Sequence, residues 1–134
     1  MMRRTLKCMA VGLTLAGIFI FALSIHAGAQ GTFAEQHVRF PKGHNSATLR
    51  GRVSQRKAIL YIVGAKAGQS MTVSLDGDAK TRFDLSGPKD KSGQTMANGE
   101  TEWSDTLPDT GDYRILVFTD SRVASPFTLK ITIE

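Results

Sequence analysis

Two histidines, His37 and His44, stand seven residues apart across Pro41-Lys-Gly43. Zinc takes three or four ligands, and nothing beyond the N-terminal segment adds a cysteine or a further histidine, so the pair reads as surface or edge positions. No Gly-x-Ser-x-Gly elbow singles out a serine nucleophile. Asp76-Gly77-Asp78 sets two carboxylates close together, and calcium held by Asp76, Asp78 and a third oxygen is the metal these residues would take. Such a cation wants six or more oxygens and the EF-hand spacing is absent. An Asp-Gly-Asp step is also first of all a turn. No catalytic constellation emerges, so the chain reads as a non-enzyme that needs no cofactor, with calcium as the one open alternative.

Binding is the better-supplied chemistry. Glu100, Glu102, Asp105, Asp109 and Asp112 follow one another without a base between them, and Trp103 lies among them. A tryptophan flanked by carboxylates can anchor a cationic partner, the ring giving apolar area and the acids steering. The same residues have a structural reading: large aromatics usually go inside, and Asp109 and Asp112 bracket a turn. Between residues 36 and 75 the balance inverts, with Arg39, Lys42, Arg50, Arg52, Arg56, Lys57 and Lys66 and no acid. Arg50 and Arg52 share one strand face. They suit an anionic envelope or matrix polymer, or they are the edge-strand charge that discourages aggregation. No aromatic residues interleave with these bases, so a nucleic-acid partner is not expected.

The elements that carry these residues are strands. Residues 48–53 alternate, with Leu49 and Val53 on one face and Arg50 and Arg52 on the other. Residues 58–63 form a continuous apolar run that reads as a central strand. Met71, Val73 and Leu75 alternate with Thr72 and Ser74. Phe83 and Leu85 mark a short strand over 81–86, and residues 103–107 mark another. The stretch 87–99, rich in Gly, Lys, Ser and Asp, reads as a loop and as the most mobile part. Tyr113, Ile115 and Val117 alternate with Arg114, Leu116 and Phe118, a second strand expected to be covered on both faces. Phe127, Leu129, Ile131 and Ile133 define the inner face of the last strand. No helical period is sustained after residue 30, so the expected fold is an all-β, antiparallel, jelly-roll-like sandwich of about eight strands.

Arg3, Arg4 and Lys7 precede an apolar run that ends in the small-residue pattern Ala27-Gly28-Ala29. This is the layout of a secretory signal peptide, and it is short for a membrane span. The expected organisation is a signal peptide over 1–29 and one sandwich domain over 30–134, periplasmic or secreted and not membrane-spanning after cleavage. The formal net charge is +5, and loss of Arg3, Arg4 and Lys7 would remove most of it. Cys8, the single cysteine, would leave with the signal, so the domain must rest on its core rather than on disulfides.

Three segments carry a resemblance: Ala65-Lys-Ala-Gly-Gln-Ser-Met-Thr-Val73, Leu107-Pro-Asp-Thr-Gly-Asp-Tyr-Arg-Ile115 and Phe127-Thr-Leu-Lys-Ile131. Through them the chain resembles the bacterial pre-peptidase C-terminal domain family, whose members are small non-catalytic β-sandwiches. Val38-Arg-Phe-Pro-Lys-Gly43, Ser46-Ala-Thr-Leu49 and the Ala-Gly-Gln segment are similar to free-standing exported members, some of which resemble periplasmic inhibitors of g-type lysozyme. That resemblance implies a protein partner such as a lysozyme, met by loops at one end of the sandwich. It implies a contact role for Glu100, Glu102, Trp103, Asp105 and Asp109, and for Arg122 in the loop before the last strand. That loop is shorter here than the resemblance suggests. The matched motifs lie in strands and turns and so specify fold more than activity.

Overall fold

The computed structural model describes residues 32–91 and 93–134. The expected signal peptide, Cys8 and the boundary at residue 29 lie outside them. Within the described residues nine strands follow in chain order: β1 (Thr32–His37), β2 (Ser46–Val53), β3 (Lys57–Ala65), β4 (Ser70–Asp76), β5 (Thr81–Ser86), β6 (Thr95–Glu100), β7 (Glu102–Thr106), β8 (Gly111–Thr119) and β9 (Ser125–Ile133). They form a five-stranded sheet in the order β1-β3-β8-β5-β6 and a four-stranded sheet in the order β2-β9-β4-β7. Without β1, the orders 3-8-5-6 and 2-9-4-7 are those of an eight-stranded jelly roll.

Period-2 patterning builds the interior. Tyr61 and Val63 of β3, Phe83 and Leu85 of β5, and Tyr113, Ile115 and Val117 of β8 meet Met71 and Val73 of β4 and the inner face of β9. On β9 the inward residues Phe127, Leu129, Ile131 and Ile133 are buried, whereas Thr128, Lys130 and Thr132 lie on the other face. A one-residue slip would turn that apolar set to water, so the register is strongly specified. The outer faces of β3 and β8 are less covered than expected: Ile62, Leu116 and Phe118 are half-buried.

Two strands lie outside the sequence expectation. β1 pairs in parallel with β3, Phe33 opposite Ala58 and His37 opposite Ile62; its residues from Phe33 to His37 are all exposed, so it carries no buried-face signal. The other, β6, falls inside the expected loop. It buries only Ala97, and its pairing with β5 shifts register twice. The loop shrinks to residues 87–94, tied by bonds from the Gly87 amide to the Gln94 carbonyl (2.9 Å) and from the Lys91 and Gly93 amides to the Pro88 carbonyl (both 3.1 Å).

The Leu107–Tyr113 motif is explained by its hydrogen bonds. The buried Tyr113 hydroxyl donates to the Asp109 carbonyl at 2.7 Å and accepts from the Asp109 amide at 3.2 Å, a tyrosine-corner arrangement that closes the turn. The Thr110 hydroxyl accepts from the Ala67 amide, and the Leu107 carbonyl from the Gly68 amide. Gly111, at φ +152°, lies so close to Pro88 that a Cβ would come within 2.8 Å of that ring. Every one of these contacts serves the fold.

Candidate functional site

Strand direction sorts the loops into two ends. Residues 54–56, 77–80 and 120–124 leave the sandwich at one end, together with the β6–β7 connection at Thr101. Residues 38–45, 66–69, 87–94 and 107–110 leave at the other.

At the first end the tight turn after β2 stands beside the loop after β8. Reciprocal bonds between Ser54 and Lys57, each 3.0 Å, close the turn, and the Gln55 amide donates to the Ser121 carbonyl at 2.7 Å. Arg56 and Arg122 therefore line one groove with Ser54 and Gln55. Val123, 74% exposed, stands next to Arg122 as an apolar tip. Among the described residues neither arginine has an ion-pair partner, and only Glu35 and His37 approach one another as a possible charge pair, at 3.9 Å. Two free guanidinium forks and an apolar knob offer planar, charge-assisted contacts to carboxylates.

Asp78 fixes the base of that loop. Its Oδ1 accepts from the Lys80 amide (2.9 Å) and the Thr81 hydroxyl (2.8 Å), and its Oδ2 from the Ser125 hydroxyl (2.7 Å). The Ser125 bond first, then that of Thr81, holds the carboxyl below its ordinary value of 3.8. The Asp78 oxygens thus serve the turn and the start of β9. Among the described residues, no group of three or more His, Cys, Asp or Glu side chains is arranged to hold a metal. A group whose pKa is depressed on folding stabilises above its unfolded value and loses that effect as pH falls through the folded one. Asp78→Ala is accordingly expected to melt below the parent at pH 7, with the gap closing in a melting series taken below about pH 4.

The acidic residues do not gather in one place. Glu100 ends β6 and Glu102 begins β7, both near the Arg122 end. Trp103 is half-buried against the core, its β7 position opposite Val73. Asp105 lies further along β7 and caps its neighbour's amide (Thr106, 2.7 Å). Asp109 belongs to the tyrosine corner at the opposite end. The basic stretch is likewise divided: Arg39, Lys42 and Lys66 sit at the far end, and Arg50 and Arg52 share a groove with Asp76 and Asp78. Arg56, Gln55 and Val123 were not singled out as partner contacts. An apolar step in a short polar loop, as at Val123-Ala124 between Arg122 and Ser125, is the signal that could have flagged the tip.

Comparison with protein-family models and with curated proteins finds no match. Among solved structures, PliG of Aeromonas hydrophila, a periplasmic lysozyme inhibitor of g-type lysozyme, is 31% identical, with a TM-score of 0.68; the match covers 76% of this chain and 97% of that one. The chain belongs to the PliG family. Salmonella Typhimurium PliG, an inhibitor of the same kind, matches at 24% identity and TM-score 0.61 over 77% of this chain and 100% of its own. The pre-peptidase C-terminal domain of a Bacillus anthracis collagenase shares the fold, at 10% identity and TM-score 0.52, over 77% of this chain and 95% of its own. Both relationships expected from the sequence segments, to the pre-peptidase domain and to the g-type lysozyme inhibitors, hold. The tyrosine corner and the β9 alternation are therefore features of a PliG chain built on the pre-peptidase sandwich.

Proposed function

We propose that this protein is an exported, non-catalytic inhibitor of a g-type lysozyme that acts in the periplasm through the loop end bearing Arg56, Arg122 and Val123. The observation that carries the reading is the 31% identity to the Aeromonas hydrophila inhibitor over 97% of its length. Physical chemistry supports the choice of end. Most glycoside hydrolases flank the scissile bond with two carboxyl groups, so a cleft of that kind presents acid to an inserted loop. Guanidinium forks match such a surface, and the loop that carries them, already held by Gln55, Asp78 and Ser125, loses little backbone freedom on binding. Glu100 and Glu102, on the flank of the same end, would steer a cationic enzyme toward it. An anionic polymer finds less support, because Arg50 and Arg52 share their groove with two aspartates.

The test is wall-lysis turbidity with the purified protein titrated against c-type, i-type and g-type lysozymes at two salt concentrations. Saturable protection confined to the g-type enzyme is the expected result. Continued lysis at micromolar excess would overturn the reading.

A further inference from the structure

The outer face of the five-stranded sheet carries a trough whose lining includes none of the loop residues of the Arg122 end and which the inhibitor reading does not use. Leu60 and Leu116 stand opposite one another on β3 and β8, as do Ile62 and Arg114 one step further. These rows form an apolar floor with one cation set in it. Phe33 of β1, 61% exposed, rises on one side, and Thr95 and Asn98 of β6 on the other. The cavity over Leu60 and Leu116 measures about 390 Å³, within the span of small-ligand sites. Arg114 also lines the adjoining groove over Ile62.

Arg114 is the informative residue. It is half-buried at the centre of the sheet, yet its guanidinium makes no hydrogen bond or ion pair with any described residue. An anionic group bound there would give the guanidinium the charge-assisted partner it lacks within the described residues. Asp84 lines the same cavity and is held by the Gly99 amide at 2.7 Å. On adjacent strands Asp84 faces Leu116 and Arg114 faces Ser86, so the two residues are diagonal neighbours whose backbone positions lie about 7–8 Å apart, with opposite charges on the same face and no ion pair between them among the described residues. An extended dipeptide spans about 7 Å at roughly 3.3–3.6 Å per residue, the scale of that backbone separation, and carries one charge of each sign at its two ends.

We propose that this trough is a binding site for a short zwitterionic peptide. The carboxylate meets Arg114, the ammonium meets Asp84, aliphatic side chains lie on Leu60 and Leu116, and amides face the polar groups of Thr95 and Asn98. The mixed charge favours a zwitterion over a fatty acid, which would leave Asp84 facing an acyl chain.

Titration of the dipeptide Leu-Leu into the whole protein by NMR tests this. Shifts are expected at Leu60, Arg114 and Leu116, with affinity at least tenfold weaker for the C-terminal amide, for the N-acetylated form and for Arg114→Gln. The amide should lose little more in the Arg114→Gln background, and lysozyme inhibition should be unchanged by that substitution, which separates this site from the inhibitory tip. Absence of shifts at 10 mM peptide would overturn the proposal. Equal affinity for the free and amidated peptides would also do so, as would binding of decanoate in place of Leu-Leu.

Discussion

Reversing both tip arginines, Arg56→Glu with Arg122→Glu, is expected to weaken inhibition of a g-type lysozyme by at least about a hundredfold while leaving the fold intact. Truncating one member of a buried interfacial charge pair costs roughly 2–5 kcal/mol, much of it from the partner left unpaired. Reversal adds repulsion against the enzyme's acids. Both side chains are exposed and neither takes part in an ion pair within the described residues, so the change in stability should stay within about 0.5 kcal/mol, as for other surface substitutions. Inhibition constants from the lysis assay, read beside melting curves, check both halves. Full potency in the double variant would remove the tip from the mechanism. The lysine pair should recover only part of the activity, because an ammonium keeps the charge without the planar fork.

The largest stability effect is expected at Phe127. Its ring packs edge-on to Tyr61, with centroids 6.4 Å apart and planes at 76°, and together with Ile59 Cδ1 fills the space left by the missing Cβ of Gly51, where an added carbon would lie 3.0 Å from each. Phe127→Ala should cost about 3–5 kcal/mol, much of the roughly 5–15 kcal/mol that stabilises a domain of this kind. Gly51→Ala alone should cost about 1–3 kcal/mol by overpacking. In a Phe127→Leu background the extra methyl gains room, so the two changes should couple by about 0.5–3 kcal/mol. Denaturant melts of the four proteins in that cycle measure the coupling, and strict additivity would show that ring and glycine do not share the space.

The fold was legible wherever a strand buries one face. β4, β8 and β9 announce themselves through alternation because Val73, Ile115 and Ile131 must lie inside while their neighbours need not. β1 left no trace, since nothing on it from Phe33 onward is buried, and β6 little, since Gly99 and the register shifts mask a strand anchored by Ala97 and the half-buried Met96. The candidate site was harder to read for a different reason. Glu100 to Asp109 are contiguous in the chain, but β7 carries them from one end of the sandwich to the other, so sequence proximity suggested a cluster that strand direction dissolves. Arg56 and Arg122 are brought together by a bond between two loops, and no local pattern encodes that pairing. Arg122 was singled out only through the resemblance.

The clamp made by Asp78 and Ser125 separates two kinds of sequence change. It anchors the loop of residues 120–124 at its foot, so the foot answers to folding and the tip beyond it answers only to whatever it touches. Substitutions at Arg122 or Val123 therefore need no compensation in the core. An inhibitor facing an enzyme that itself changes gains from this arrangement: its recognition residues can be rewritten one at a time, each variant still folding, and specificity can drift faster than architecture.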